Sequence, residues 1–247
     1  MNIVFHEKYR EVYSSDPAAK KGRLDKAVEE LRPLYPFIEP KMATEEDIFY
    51  VHTKSHFDMV SRKSSHLLTL SLLAAGGAIS ASEQAMQGNI SFALIRPPGH
   101  HASPSDCWGF CWFNNIAVAI ERLRTKQLIK RALILDFDLH FGDGTKNFFT
   151  DIPEVTYIHM GSVKTLPQQL SSIEQCDIVG LSAGFDRHLE DWGGLLSTDD
   201  YLYIGQEVKK MADTLCPNKI FAVLEGGYNH DVLGENIKAL LEGLKEN

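Results

Sequence analysis

The sequence has few of the features that mark secreted, membrane-spanning or DNA-binding proteins. Its four cysteines show no paired framework of the kind that cross-links a secreted domain. The chain does not open with a basic segment followed by an apolar core and a small-residue cleavage site. The formal net charge of −8 argues against a DNA-binding surface, because phosphate contacts depend on clustered lysine and arginine. We therefore expect a cytoplasmic protein with reduced thiols that binds neither nucleic acid nor membrane directly.

Long apolar runs are also scarce. The longest apolar stretch, residues 67–79, contains serine and threonine and is too short to span a bilayer. No repeat, low-complexity tract or linker divides the chain, so we expect one domain over residues 1–247. The hydrophobic fraction of 44% is typical of a globular protein, and the length suits a single α/β unit with an ample core.

The first third of the sequence has a helical pattern. Apolar residues recur at helical spacing before Pro33, namely Leu24, Ala27, Val28 and Leu31. Thr44 followed by Asp47 resembles a capping box that opens a short helix. A long apolar helix is predicted from about residue 64 to residue 87, in spite of the glycine pair at Gly76 and Gly77.

The remainder of the chain alternates short apolar runs with amphipathic stretches. The runs cover residues 92–95, 132–135, 155–158, 178–182 and 220–224. Each run is continuous, as in strands that are buried on both faces. Amphipathic stretches at 116–123, 201–215 and 232–244 predict helices, whereas the segment between the third and fourth runs is a poor helix candidate. The pattern predicts a three-layer αβα fold with a parallel sheet.

Chemically useful side chains follow four of the five predicted strands. His100 and His101 follow the first, an aspartate cluster at 136–143 follows the second, Asp186 follows the fourth and Tyr228 follows the fifth. Ligands of parallel α/β sheets bind beyond the carboxyl ends of the strands. The sequence therefore predicts a functional site at this edge.

The aspartate cluster predicts a metal site. Residues two apart in an extended chain share a face, so Asp138 and His140 can point at one ion. Carboxylate and imidazole suit zinc, whose catalytic sites use three protein ligands, and Asp186 could supply the third. The alternative is that the cluster only caps a helix and binds water.

The histidine pair and the tyrosine suggest hydrolysis. Imidazole titrates near neutrality and can act as a general base, and Asp136 and Asp143 could orient the rings. Tyr228 follows a glycine pair that could turn its hydroxyl toward a metal and an oxyanion. Taken singly, the histidines could be surface residues and Tyr228 could be packed in a turn. Trp108 and Phe110, taken singly, are interpreted as core or wall residues.

In combination these segments resemble the histone deacetylase and acetylpolyamine amidohydrolase superfamily, which shares its fold with arginase. The matching motifs are RPPGHHA (96–102), GFCWFNNIAVA (109–119), DFDLHFGDGT (136–145), SAGFD (182–186) and EGGYN (225–229). The resemblance extends upstream to RLDKAVEEL (23–31) and MATEEDIFYVHT (42–53) and so covers nearly the whole chain. With Glu225 before the glycine pair, the last motif resembles the branch of the family that contains the class II deacetylases and the bacterial amidohydrolases.

The resemblance implies a zinc-dependent hydrolase that removes acetyl or other acyl groups from amines. It implies the following roles: Asp138, His140 and Asp186 as zinc ligands; His101 as general base; His100 as its electrostatic partner; Asp136 and Asp143 as the carboxylates behind His100 and His101; Tyr228 as the group that polarises the carbonyl; and Gly109 and Phe110 as walls of the substrate channel. It also implies a structural monovalent cation, usually K⁺, held in part by Asp136.

Three positions depart from the family pattern. Phe141 stands where many relatives have a second histidine, which is not a zinc ligand. Tyr157 stands where a serine often contributes to the cation site, which counts against K⁺. Segment 160–176 is shorter than is usual, and it normally builds part of the rim, so we expect a more open mouth.

Two questions stay open at the level of sequence. The substrate could be an acylated lysine or an acetylated polyamine or similar small amine, because the ligands do not distinguish them. A different class, an acyl-lysine binding module without catalysis, would have lost a zinc ligand, His101 or Tyr228, and none is missing.

Overall fold

A parallel sheet of seven strands forms the centre of the molecule. The computed structural model describes residues 1–245. In chain order the strands are Asn2–Val4 (β1), Phe37–Ile38 (β2), Ser91–Ala93 (β3), Ala132–Asp136 (β4), Val155–His159 (β5), Ile178–Ala183 (β6) and Ile220–Leu224 (β7). Their order across the sheet is β2-β1-β3-β7-β6-β4-β5, and every pair is parallel. The fold class predicted from the sequence is confirmed.

The five predicted strands correspond to β3 to β7. Every residue of β3, β4, β6 and β7 is buried, which explains why these strands are continuous apolar runs in the sequence. The prediction for the first third was incomplete, because β1 and β2 extend one edge of the sheet there. They have three and two residues, too few to show a pattern among the helical segments around them.

Helices form the two outer layers. They are Asp25–Leu31 (α1), Glu45–Phe49 (α2), Lys54–Ser61 (α3), Ser65–Met86 (α4), Asn115–Thr125 (α5), Asp143–Phe149 (α6), Leu166–Ser171 (α7), Thr198–Leu215 (α8) and Leu233–Gly243 (α9). Helix α4 packs on α5 and on several strands, whereas α9 packs between α1 and α8. The predicted capping box of Thr44 and Asp47 is present at α2. The poor helix candidate between β5 and β6 is the six-residue α7.

Helix α4 is the long apolar helix expected at 64–87. Its 22 residues are long and apolar enough to cross a membrane by length and composition, but 67% of the relevant window is buried within the fold. Close packing explains why a glycine is tolerated within this helix. A Cβ atom at Gly76 would lie 1.9 Å from the carbonyl oxygen of Lys41, so only glycine allows this approach. We interpret α4 as a core helix.

Candidate active site

The carboxyl ends of β3, β4, β6 and β7 converge on one cavity of about 130 Å³. All of the site residues predicted from the sequence lie in its wall or directly behind it. The wall includes His100, His101, Phe110, Asp138, His140 and Tyr228. Strand order brings them together, because β4 and β7 flank β6 in the sheet, and β3 lies next to β7. The convergence expected at this edge is therefore present in the structure.

Asp138, His140 and Asp186 form a group with the dimensions of a zinc site. Nδ1 of His140 lies 3.3 Å from Oδ1 of Asp138 and 3.3 Å from Oδ2 of Asp186. Tetrahedral zinc with ligand bonds of about 2.0–2.1 Å would hold its ligand atoms about 3.3 Å apart. Oδ2 of Asp186 is buried and accepts no hydrogen bond from any residue of 1–245. A buried carboxylate oxygen without a partner is costly unless a cation binds it, so the residues fit the metal.

Main-chain donors hold the two carboxylates in place. Asp138 accepts hydrogen bonds from the amides of His140 at 2.9 Å and Gly226 at 2.7 Å. Asp186 accepts one from the amide of Leu139 at 2.9 Å. The loops after β4, β6 and β7 are thereby tied to each other through these two carboxylates. Metal binding and the conformation of this edge should therefore be linked.

Asp138, His140 and Asp186 also influence each other's protonation. The carboxylates of Asp138 and Asp186, each with an oxygen 3.3 Å from Nδ1 of His140, raise the pKa of that ring to about 10. Burial, together with the charge of Asp138, raises the pKa of Asp186 to about 6. The carboxylate pair thus attracts a positive charge, which is a proton on His140 in the absence of metal.

Each histidine of the pair has a carboxylate behind it. Nδ1 of His101 lies 2.6 Å from Oδ1 of Asp143, and Nδ1 of His100 lies 3.1 Å from Oδ2 of Asp136. An ionised carboxylate only accepts hydrogen bonds, so each Nδ1 must carry the proton. Nε2 of His101 is then left to accept a proton. The pairing matches the one implied by the family resemblance.

The two imidazoles have opposite protonation preferences. Burial and the neighbouring charge of His100 lower the pKa of His101 to about 4. Burial also opposes protonation of His100, but Asp138 and Asp136 outweigh it and raise its pKa. The rings lie 4.0 Å apart, so one protonated and one neutral ring is the favourable arrangement. His101 suits a base and His100 suits an acid.

A tight turn at Gly109 and Phe110 lines the cavity beside His101. Both residues have positive φ angles, 58° and 65°. A Cβ atom at Gly109 would lie 2.4 Å from Cδ2 of His101, so the position requires glycine. Phe110 adopts this uncommon conformation, and its ring lies nearly perpendicular to that of Tyr228, with centroids 6.1 Å apart. This places both predicted channel residues in the cavity wall.

Tyr228 is held by residues that sequence reasoning missed. Oδ2 of Asp191 accepts hydrogen bonds from the amides of Tyr228 and Asn229, each at 2.7 Å. The Trp192 ring stacks on the Tyr228 ring at 4.0 Å. Arg23 donates to the carbonyl oxygen of Gly227 and lies 5.2 Å from the Tyr228 ring centroid. Burial raises the pKa of Tyr228, so its hydroxyl keeps its proton.

Trp108 was also underestimated from the sequence. Its ring lies 3.9 Å from that of His101, and its Nε1 donates to Oδ2 of Asp143 at 2.8 Å. Trp108 and Trp192 are both about half exposed, at 53% and 52%. Their position in the sequence is a signal that could have identified them, because Trp108 directly precedes the motif at 109–119 and Trp192 lies in the loop that follows Asp186.

The departures from the family pattern also have structural counterparts. The Tyr157 hydroxyl donates to Oδ2 of Asp136 at 3.0 Å, so this oxygen already has a protein partner, and a K⁺ ion here stays a prediction. Segment 160–176 contributes no residue to the cavity wall. His140 keeps 42% of its side chain exposed, and a mouth more open than in the rest of the family stays a prediction.

The arrangement defines a class: an α/β protein with an Asp-His-Asp group that could hold a metal ion, a histidine pair and a tyrosine at one sheet edge. The model of the histone deacetylase domain matches residues 17–175 and 162–244. A probable deacetylase of Methanothermobacter thermautotrophicus is 32% identical, with 84% of this chain and 78% of that protein covered. A probable deacetylase of Archaeoglobus fulgidus is 30% identical, covering 92% and 81%.

A solved structure agrees with these sequence relatives. The crystal structure of the HDA15 HD domain superposes with a TM-score of 0.85 at 24% identity, covering 100% of this chain and 91% of that chain. At this identity the likeness shows the fold. The family model spans most of the chain, and the chain therefore belongs to the histone deacetylase family.

Proposed function

We propose that the protein is a zinc-dependent amidohydrolase that removes acetyl or similar acyl groups from lysine side chains or related amines. The observation that carries the proposal is the cavity itself, in which the Asp138–His140–Asp186 group, the histidine pair and Tyr228 meet. The names of the archaeal relatives, probable deacetylases, support the same activity.

Asp138, His140 and Asp186 would hold the zinc ion. When bound, zinc supplies Lewis acidity, which polarises an amide carbonyl and makes water more acidic. The small cavity favours a short acyl group, and the Phe110 wall suits an alkyl chain.

The chain's own residues carry the proton transfers. Nε2 of His101 takes a proton from the attacking water. Asp143 fixes the other proton on Nδ1 of His101, and the low pKa of His101 keeps the ring neutral. The Tyr228 hydroxyl donates to the carbonyl oxygen as it gains charge. His100, kept protonated by Asp136 and Asp138, supports protonation of the amine that leaves. An amine is a poor leaving group unless it is protonated, so both histidines are needed.

The proposed activity is tested by measuring metal content and turnover on the same preparation. The zinc-loaded protein should release acetate from an acetyl-lysine peptide. Chelation should abolish the release, and added zinc should restore it. An acyl-lysine binding module would instead bind the peptide without releasing acetate. Absence of turnover in zinc-loaded protein, on peptide and acetylpolyamine alike, would refute the proposed function.

Asp191 should matter for turnover although it contacts no reacting atom. We expect Asp191→Ala to lower kcat about tenfold, because losing charge-assisted hydrogen bonds to two amides, each contributing roughly 1.5–3 kcal/mol, loosens the loop that carries Tyr228. Asp191→Asn retains an acceptor oxygen and should recover much of the rate. Steady-state kinetics measure both effects, with KM expected to change less than kcat. An Asp191→Ala variant with the wild-type kcat would show that Tyr228 needs no such support.

A further inference from the structure

Large apolar side chains are exposed on the loops that build the site. Five are 49–60% exposed, namely Trp108, Phe141, Leu189, Trp192 and Leu195. Phe141 follows the metal-site residue His140, and the last three follow Asp186. Trp108 and Trp192 line the cavity itself. Exposed large apolar groups next to a cavity mark a surface that something covers.

The two tryptophans are held rigidly, each with one face against a site residue. Trp108 lies on His101 and is anchored to Asp143 through its indole N–H. Trp192 stacks on Tyr228 and its backbone amide donates to Oδ1 of Asp191 at 2.8 Å. About half of each side chain remains exposed. Fixed rings of this kind bind a partner with little loss of conformational entropy.

Two of the carboxylates next to the tryptophans, those of Asp143 and Asp191, are already engaged within the protein, whereas Asp106 and Glu190 are exposed. Asp143 uses Oδ1 for His101 and Oδ2 for Trp108. Asp191 uses Oδ2 for two backbone amides and Oδ1 for the amide of Trp192. An ammonium group of a polyamine would have to compete with these donors. The mouth therefore offers apolar rings in preference to these carboxylates.

We propose that Trp108 and Trp192 form an apolar docking platform for the part of the substrate that stays outside the cavity. The platform is continuous with the cavity, so whatever it binds must be attached to the acyl-amine group. This assigns the substrate class as acyl-lysine flanked by apolar or aromatic residues, as opposed to a polycationic amine. The inference rests on the proposed amidohydrolase function and deepens it.

The test compares zinc-loaded wild type and variants on matched peptides. Acetyl-lysine is flanked by two leucines, two serines or two lysines, and monoacetylated spermidine is a fourth substrate. We expect wild-type kcat/KM to favour the leucine peptide over the serine peptide by about five- to tenfold, the effect of a buried aromatic anchor. In Trp108→Ala and Trp192→Ala this ratio should fall to about one.

The ratio separates docking from catalysis. A tryptophan that only supports His101 or Tyr228 would lower the rates on both peptides equally and leave the ratio unchanged. Trp108→Phe and Trp192→Phe keep a ring and should retain most of the preference. Leu128, 55% exposed and located before β4 at the opposite end of the strands, provides the control variant Leu128→Ala, which should behave as wild type.

Three outcomes would overturn the proposal. In the first, the alanine variants keep the wild-type preference for the leucine peptide over the serine peptide. In the second, the wild type itself shows no such preference. The wild type could instead favour the lysine peptide or acetylspermidine and lose this preference in the alanine variants, which would identify a cation–π platform. Failure of zinc-loaded wild type on all four substrates, including the serine peptide, would refute the amidohydrolase function itself.

Discussion

Replacing His101 with alanine should abolish turnover of an acetyl-lysine peptide while the protein still binds zinc. The ring is no metal ligand in this geometry, because its Nδ1 faces Asp143 and the Asp138–His140–Asp186 group is complete without it. Removing a general base typically costs about 10²–10⁴-fold in rate. His100 cannot replace it, since Asp136 and Asp138 favour its protonated form. Acetate release and metal analysis of one preparation give both readouts.

Two further variants make the His101 result specific. His66→Ala removes a partly exposed imidazole that faces Glu11, outside the cavity wall, and should leave rate and metal content unchanged. Asp143→Asn keeps the shape of the carboxylate but can hold His101 in the wrong tautomer, so it should lower kcat without loss of metal. Wild-type activity in His101→Ala would assign the base to another residue. Loss of zinc in the same variant would instead show that the ring supports the metal site.

The sheet could be predicted from the sequence where burial leaves a simple signature. Strands β4, β6 and β7 are covered on both faces, and each predicted run overlaps its strand almost completely. Helix α4 begins after Ser64, whose side chain accepts a hydrogen bond from the amide of Leu67. Serine is a common N-cap residue, so the start of this helix could also be predicted. The pairing of β1 with β2 and β3 has no such signature, because two or three residues carry no periodicity.

The site could be predicted where its residues occupy short motifs after strands. Asp138 and His140 lie two positions apart after β4. Asp186 follows β6, which is next to β4 in the parallel sheet, so the sheet order alone brings it close to them. Asp191 was missed because its partner, the amide of Tyr228, is 37 residues away along the chain. Trp108 likewise bonds Asp143 across 35 residues. Such contacts depend on how loops fold back over the sheet edge, which no local pattern encodes.

Replacing Asp186 with alanine should remove the metal, and activity with it. Oδ2 of Asp186 is buried without a hydrogen bond and lies 3.3 Å from Nδ1 of His140. Without it only two ligands remain, too few for a catalytic zinc site. Changes to groups that merely orient ligands cost about 10–100-fold in metal affinity, and loss of a ligand should cost more. Competition with a chelator of known affinity measures the change directly.

The thermal shift produced by zinc distinguishes loss of a ligand from loss of the fold. Zinc should raise the Tm of the wild type, because it binds the native state, and should leave that of Asp186→Ala unchanged. Asp186→Asn retains an acceptor oxygen for the amide of Leu139, so the metal-free fold should persist while zinc binding is still weakened. Removing the charge relieves the burial cost and the repulsion with Asp138 that raise the pKa of Asp186, but it also weakens the attraction for the proton on His140. Because these effects oppose each other, metal-free Asp186→Asn should have a Tm close to that of metal-free wild type. Undiminished zinc affinity in both variants would exclude Asp186 as a ligand.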